Sequence, residues 1–148
     1  MAVIAIVGAG MMGSALSAPF IANGHEVRLV GTPLDREIIA ALKAGAPHPK
    51  LRATVPGVSA YFAPELSSAL DGADAIALGV SSAGVRWAAE ALGAELARAP
   101  RPVLMISKGL VWQDARLDVL PDVFRALLPA AAAAEVAPVG VAGPCIAG

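Results

Sequence analysis

The sequence predicts an α/β fold, a mostly parallel sheet with helices on both faces. Short apolar runs alternate with Ala- and Leu-rich stretches of helical period, which is the pattern of repeated βα units. The first run, Val3–Val7, is continuously apolar, as expected for a strand buried on both faces. A glycine-rich turn follows this strand directly at residues 8–13.

The first half of the chain divides into strands and short helices. Residues 11–23 predict a helix that ends at Asn23-Gly24, and Pro19 within it predicts a kink or a shortened helix. The next expected elements are a strand at 26–30, a helix at 34–43 closed by Gly45, an irregular connection at 46–57, a strand at 58–62 and a brief helix at 64–70.

The second half continues the alternation. Residues 74–80 predict a buried strand, and Ser82 is expected to cap a long helix that runs to about residue 99. A fifth strand is expected at 102–107 and a helix at 117–128, with Pro121 near its start. The alanine run at 130–134 is interpreted as the tail of a helix, and residues 136–142 predict a sixth strand.

Composition bounds the class of protein. The 148 residues fit one domain, and 57% hydrophobic against 16% charged residues excludes a disordered chain. The net charge of −1 gives no reason to expect a nucleic-acid partner, and no apolar run reaches the roughly 20 residues of a membrane span. The single cysteine, Cys145, indicates a reducing, cytoplasmic location. The high apolar content suggests a face that awaits a partner, and we expect the chain to be part of a longer protein.

The glycine turn is the strongest functional signal. Gly8-Ala9-Gly10-Met11-Met12-Gly13 matches G-x-G-x-x-G between a buried strand and a helix, the setting of a Rossmann dinucleotide-binding turn. Gly8 permits the tight turn, Gly10 lets a pyrophosphate approach the backbone, and Gly13 lets the helix pack on the strand. We therefore expect NAD or NADP as cofactor; the alternative is a structural turn without a ligand.

The end of the second strand bears on the choice between these cofactors. No carboxylate stands where one would bind the adenosine ribose, and Asp35 comes a few residues late, as if to cap the next helix. Thr32 and Arg36 are candidates for contact with a 2′-phosphate, which gives the hypothesis that NADP is tolerated or preferred. The alternative is that Arg36 is only a solvated helix residue.

Further candidates follow the later strands. Val80, Ser81 and Ser82 would let the cofactor approach closely, and Lys108 is the candidate catalytic residue, since an ammonium at a strand end can polarise a carbonyl or pair with a phosphate. The alternative for Lys108 is a strand-end lysine that reaches solvent. The histidines and the cysteine are less promising: His25 is interpreted as structural and Cys145 as a packing residue. His48 is a loop residue, and in the less favoured interpretation it lines the mouth of the site. No group of residues in the sequence has the spacing of metal ligands.

Taken together, five segments resemble NAD(P)-dependent glycerol-3-phosphate dehydrogenase of the bacterial type. They are GAGMMGSAL at 8–16, NGHEVRLVG at 23–31, LSSALDGADAIALGVSS at 66–82, SKGL at 107–110 and VAGPCIAG at 141–148. The resemblance covers the whole chain. It implies that the glycine turn holds the pyrophosphate, that Val80-Ser81-Ser82 lies against the cofactor, that Lys108 reaches the active site and that Ala147 contacts the dinucleotide.

The resemblance also implies a reaction. It is reversible hydride transfer between dihydroxyacetone phosphate, a small phosphorylated substrate, and sn-glycerol 3-phosphate. The family continues into a helical domain with a second, catalytic lysine and much of the phosphate site, so residues 1–148 are expected to be the dinucleotide-binding domain, inactive alone, with a homodimer possible for the full-length protein. Val30, Thr32 and Ser81 depart from residues common in the family, which leaves cofactor preference and the exact substrate open.

Two other readings stay open at this stage. Ketopantoate reductases and opine-type dehydrogenases share a similar amino-terminal domain, so the fold does not exclude them. The third reading is a free-standing module that binds a dinucleotide to sense it, without chemistry.

Overall fold

The computed structural model describes residues 1–113 and 115–141, and these form a parallel sheet flanked by helices. The described strands are β1 (Val3–Val7), β2 (Glu26–Val30), β3 (Val58–Tyr61), β4 (Ala75–Leu78), β5 (Val103–Met105), β6 (Leu110–Gln113), β7 (Arg116–Val119) and β8 (Val139–Gly140). The described helices are α1 (Met11–Ala22), α2 (Arg36–Lys43), α3 (Leu66–Leu70), α4 (Val85–Arg98), α5 (Leu120–Leu127) and α6 (Ala130–Glu135).

The order of the strands creates a crevice at one edge of the sheet. Six strands run parallel in the order β3-β2-β1-β4-β5-β8, and β6 and β7 form a separate antiparallel hairpin. The chain builds outward from β1 in one direction and then from β4 in the other. Val7 pairs with both Val30 and Leu78, so β1, β2 and β4 end at the same level. In such sheets ligands bind beyond the carboxyl ends of the strands at this reversal.

The core lies on both faces of the sheet. Ala5 and Val7 of β1 pack on the side of α4 and α5, with Leu92, Leu96 and Phe124, all buried. Ile6 of the same strand packs on the opposite side of the sheet, in a second group of buried residues. Residues that pack on the two sides alternate along β1, which confirms the prediction of a strand buried on both faces.

The prediction of a kink or a shortened helix at Pro19 is corrected in part. Helix α1 is not shortened, since it runs to Ala22 with Pro19 inside. At the end of the helix, the backbone and side-chain amides of Asn23 both donate to the Pro19 carbonyl, at 3.1 and 2.7 Å. Gly24 has φ +78°, so the expected left-handed stop is confirmed.

The segment from 110 to 135 departs most from prediction. The expected helix at 117–128 begins only at Leu120, because Leu117 belongs to β7 and pairs with Trp112 of β6. The alanine run is not the tail of that helix but a separate helix, α6. Pro129 explains the break, since the residue before a proline avoids helical backbone, and Leu128 has ψ 153°.

Two other boundaries are corrected. Ser82 does not cap a long helix; it opens a single 3₁₀ turn at Ser82–Gly84, and α4 starts at Val85 with no side-chain cap. The sixth strand, expected at 136–142, is described only as Val139–Gly140, and residue 142 lies outside the described part of the chain.

One face of the hairpin is apolar and exposed. Opposite residues of an antiparallel pair share a face, so Leu110 with Val119 and Trp112 with Leu117 lie on one side. These four side chains have 45 to 68% of their surface exposed. On the other side, Val111 packs against the core and Asp118 is buried. We call the exposed side the hairpin face.

The fold predicts opposite effects for two serines of α1. Ser17 is fully buried, and among the described residues its hydroxyl has no hydrogen-bond partner, whereas the Ser14 hydroxyl donates to the Ala9 carbonyl at 3.0 Å. We expect Ser17→Ala to raise the free energy of unfolding by about 1 kcal/mol, or about 2–4 °C in Tm, because it removes an unsatisfied group. Ser14→Ala, the matched control, should lower it by about 1 kcal/mol. Thermal unfolding of both variants measures this, and a Ser17→Ala protein less stable than the parent would contradict it.

Candidate functional site

Three clefts lie along the carboxyl edge of the sheet. The adenosine-side cleft, about 520 Å³, is lined by Thr32, Pro33, Arg36, Ile39, Phe62, Ala63, Pro64 and Glu65. The glycine-turn cleft, about 490 Å³, is lined by Gly8, Gly10, Thr32, Pro33, Leu34, Asp35, Lys50, Gly79, Val80, Ser81, Ala83, Gly84 and Trp87. The lysine cleft, about 450 Å³, is lined by Ser107, Lys108, Gly109, Leu110, Val119, Leu120, Pro121, Gly140 and Val141. The first two share Thr32 and Pro33, so they form one groove.

The glycine turn is held by close backbone packing. Gly8 has φ +108°, and a Cβ there would lie 2.7 Å from the Gly79 carbonyl carbon. A Cβ on Gly13 would lie only 1.9 Å from the Gly8 oxygen. Both positions therefore require glycine, as the sequence motif predicts. Gly79, which directly follows β4, also packs tightly against Gly13, since a Cβ on Gly79 would lie 2.8 Å from the Gly13 Cα.

Gly10 is different, because it faces open space. A Cβ built on it meets nothing within 4 Å, although Gly10 lines the glycine-turn cleft. The first hydrogen bond of α1 runs from the Ser14 amide to the Gly10 carbonyl, and no side chain caps the helix. The amides of Met11 and Met12 therefore lack partners inside the helix. This is a cradle that a side chain would fill and that an anionic diphosphate fits.

Three side chains from separate parts of the chain fix the peptide groups of Ala9. The Ala9 amide donates to the Asp35 carboxylate at 3.2 Å, and the Ala9 carbonyl accepts from the Ser14 hydroxyl at 3.0 Å. His48 Nε2 lies 2.9 Å from the same carbonyl. Its Nδ1 accepts the amides of Lys50 and Leu51, each at 3.1 Å, so Nε2 is the ring nitrogen that donates to the Ala9 carbonyl. We call this arrangement the Ala9 clamp.

The clamp corrects two sequence interpretations. Asp35 stands at the start of α2 but makes no capping hydrogen bond; its Oδ2 accepts from the Ala9 amide and from the amide and hydroxyl of Thr32, the latter two at 2.9 and 2.8 Å. His48 is fully buried rather than lining the mouth of the site. His25 lies where expected, away from this edge, and its Nδ1 accepts the Ala2 amide at 3.2 Å.

The adenosine-side cleft combines apolar walls with charged residues. Pro33, Ile39 and Phe62 provide flat or aliphatic surface. Arg36 is exposed and lines this cleft. Glu65 accepts the Phe62 amide at 2.7 Å and pairs with Lys43 at 2.9 Å. The hydrogen bond from the Phe62 amide, and after it the one from Lys43, lowers the pKa of the Glu65 carboxyl. Glu65 therefore stays ionised, with Lys43 beside it.

Not all of the residues predicted near the cofactor line the groove. Val80 and Ser81 line the glycine-turn cleft, but Ser82 is not among its lining residues. Met11 and Met12 are not among these lining residues either, and more than half of the surface of each is exposed. Ala147 and Cys145 lie outside the described residues.

Lys108 lies in the neighbouring lysine cleft, in the segment that joins β5 to β6. It is exposed, and Gly109 beside it has φ +139°. The preceding Ser107 donates its hydroxyl to the Val80 carbonyl at 2.5 Å, which ties this segment to the wall of the glycine-turn cleft. The strand order therefore places Lys108 next to the groove, on the side away from Arg36.

Sequence reasoning missed several residues of the groove. Phe62 directly follows β3, so its position at the carboxyl edge was available from the strand prediction. Trp87 is half-buried in the glycine-turn cleft, and Lys50 reaches that cleft from the irregular connection. No local pattern signals either of these two residues.

Two kinds of feature are absent from the described part of the chain. Residues 1–113 and 115–141 contain no group of three or more His, Cys, Asp or Glu side chains that could hold a metal ion. Within the same ranges, no helix has the length and hydropathy needed to cross a bilayer.

Comparison with known proteins identifies relatives. A family model described as NAD-dependent glycerol-3-phosphate dehydrogenase N-terminus matches residues 3–148. A curated protein of Archaeoglobus fulgidus, named NADP(+)-dependent glycerol-3-phosphate dehydrogenase, is 38% identical over 120 residues; the match covers 81% of this chain and 35% of that protein.

Solved structures resemble the fold. Glycerol-3-phosphate dehydrogenase from Coxiella burnetii matches with a TM-score of 0.68 and 23% identity, over 97% of this chain and 41% of that one. A UDP-glucose dehydrogenase from Pyrobaculum islandicum matches with a TM-score of 0.58 and 24% identity, over 72% of this chain and 29% of that one. Because dehydrogenases of different substrates share it, the likeness describes the fold alone.

The family match extends over almost the whole chain and includes the glycine turn with its open cradle at Gly10. The chain also spans only about a third of the length of its archaeal relative. The chain belongs to the family of amino-terminal domains of NAD-dependent glycerol-3-phosphate dehydrogenases.

Proposed function

We propose that this chain is the dinucleotide-binding part of a cytoplasmic dehydrogenase that transfers a hydride between NAD(P)H and dihydroxyacetone phosphate. The observation that carries the proposal is the open cradle at Gly10, with the uncapped start of α1 beside it. Here the uncapped amides of α1, open space and the groove coincide. Family membership and the name of the archaeal relative support the choice of reaction.

Each cleft has a separate task in this proposal. The adenosine end of the cofactor lies between Pro33 and Phe62, and the diphosphate lies at the amides of Met11 and Met12. The nicotinamide end extends along Val80 and Ser81 towards Trp87. When bound, the cofactor supplies or accepts the hydride, and the small residues of the glycine-turn cleft let it lie close to the sheet edge.

Lys108 has the catalytic role on this chain. Its ammonium, in the cleft next to the nicotinamide end, polarises the substrate carbonyl or pairs with the substrate phosphate. Ser107 positions it, because the hydrogen bond to the Val80 carbonyl fixes the segment against the cofactor groove. The acid or base that exchanges the proton with the substrate oxygen comes from outside residues 1–148.

The hairpin face is the proposed contact for that further part of the protein. It exposes Leu110, Trp112, Leu117 and Val119, and two of these, Leu110 and Val119, also line the lysine cleft. A helical substrate domain packed on this face would bury the apolar surface and close the cleft around Lys108. The chain spans 35% of the archaeal relative and 41% of the Coxiella protein.

NADP is the proposed preference. The Asp35 carboxylate is turned to the Ala9 clamp and to Thr32, and Glu65, the carboxylate that lines the adenosine-side cleft, is held by Lys43 and the Phe62 amide. Neither carboxylate is therefore offered to the adenosine ribose. Arg36 stands in the adjoining cleft with its guanidinium exposed. The names of the relatives differ on this point, since the family model is described as NAD-dependent and the archaeal protein as NADP(+)-dependent.

The function is tested by binding and turnover on the same sample. We expect the purified chain to bind NADPH in calorimetry and to leave it unoxidised when dihydroxyacetone phosphate is added, because the acid/base group is supplied elsewhere. Absence of binding by either reduced cofactor would overturn the proposed function. Steady oxidation would overturn the assignment of that group to a region beyond residue 148.

The cofactor preference is tested with Arg36→Met. The change removes the cation of the adenosine-side cleft and should weaken NADPH binding by about tenfold, while the Kd for NADH stays within about twofold. Arg86→Met, which removes an exposed arginine that lines neither cleft, is the control. Equal losses for NADH and NADPH with Arg36→Met would mean that this guanidinium does not read a 2′-phosphate.

Two glycine variants separate the cradle from the packing of the turn. Gly10→Ala should fold normally, because its Cβ enters open space, and should weaken binding of both cofactors by at least about tenfold, roughly 1.4 kcal/mol. Gly13→Ala should instead lower the free energy of unfolding by about 3 kcal/mol or more, because its Cβ collides with the Gly8 oxygen. Thermal melts and calorimetry distinguish the two, and full binding by a folded Gly10→Ala protein would contradict the cradle.

A further inference from the structure

The irregular connection between α2 and β3 carries a cation into the glycine-turn cleft. Lys50 is exposed and is the one lysine or arginine among the residues that line this cleft. Among the described residues it has no ion-pair partner. The other two lysines of the chain lie elsewhere: Lys43 pairs with Glu65, and Lys108 lines the lysine cleft.

The position of Lys50 is fixed by the same histidine that fixes the glycine turn. His48 Nδ1 accepts the backbone amides of Lys50 and Leu51, while Nε2 donates to the Ala9 carbonyl. The histidine backbone closes the loop further: its amide donates to the Ala53 carbonyl at 2.9 Å, and its carbonyl accepts the Arg52 amide at 2.8 Å. One fully buried imidazole therefore connects the backbone of Lys50 to the cradle through two hydrogen-bonding steps.

The surrounding charges leave this cation available to an anion. Asp35 is the one carboxylate that lines the cleft, and its Oδ2 is occupied by the Ala9 amide and by Thr32. The uncapped start of α1 adds a positive potential at Gly10 on the same cleft. An anion that enters here meets helix amides and an ammonium together.

The two clefts of the groove indicate which phosphate of the cofactor Lys50 would contact. Arg36 lines the adenosine-side cleft and not the glycine-turn cleft, whereas Lys50 lines the cleft that contains Gly8 and Gly10 and not the other. Resting on the proposed function, we infer that Lys50 binds the diphosphate of the dinucleotide, and that His48 is a positioning residue that holds the Lys50 loop at the glycine turn. Arg36 and Lys50 thus bind different phosphates of one cofactor.

The experiment is calorimetry of the purified chain with NADH, NADPH and ADP-ribose, the last of which carries the diphosphate without the nicotinamide. Lys50→Met should weaken all three by a similar factor, about fivefold to tenfold at low salt, because the ammonium is exposed and screened. The difference between variant and parent should shrink as salt is raised. Lys50→Arg should restore most of the binding, because it returns the positive charge.

Arg52→Met is the matched control, since it removes a positive charge from the same loop, two residues away, at an exposed position that does not line the cleft. It should leave all three dissociation constants within about twofold. His48→Gln tests the positioning role: it should weaken binding to the level of Lys50→Met, and adding Lys50→Met to it should cost little more.

The outcomes are distinct. Unchanged binding by Lys50→Met, with normal binding by the parent chain, would overturn this inference and leave the proposed function in place. Loss confined to NADPH would also overturn it, because Lys50 would then read the 2′-phosphate. Failure of the parent chain to bind any of the three ligands would overturn the proposed function itself.

Discussion

The peptide groups on either side of Ala9 are the point on which the site depends. Ser14 of α1, Asp35 at the start of α2 and His48 of the following connection all hydrogen-bond to the amide or carbonyl of this one residue. Buried backbone polar groups must find partners, and here each partner is a side chain from a different part of the chain. Fixing Ala9 thus fixes two loops and the first turn of α1 relative to each other.

This constraint has two chemical consequences. It presents the cradle at Gly10 in a set conformation, so an anion that binds there need not order the turn first. The same hydrogen bonds also engage the Asp35 carboxylate, which the sequence motif alone would assign either to a ribose or to a helix cap. In the proposed function, cofactor selectivity therefore rests on Arg36 rather than on an acidic residue, whereas Lys50 binds the diphosphate that both cofactors share.

The fold and the core of the site were largely predictable, because their signals are local. The pattern of the apolar runs predicted the parallel strands. The spacing of Gly8 and Gly13 predicted two positions whose close contacts leave no room for a side chain. The β6–β7 hairpin was missed because no glycine stands between its two strands to signal a turn, and Ala115 takes φ 60° without being glycine. His48, Trp87 and Lys50 were not recognised as parts of the site because they reach it through tertiary contacts, which no pattern along the chain encodes.

The central claim is that the start of α1 receives a dinucleotide diphosphate. Amide chemical-shift mapping of the isotope-labelled chain during titration with NADPH tests it most directly. We expect the largest shifts on the amides of Gly10, Met11 and Met12, and little change at the Ala9 amide because Asp35 already accepts its hydrogen bond. Large shifts confined to the hairpin face, or saturable binding that leaves Gly10 to Met12 unmoved, would contradict it.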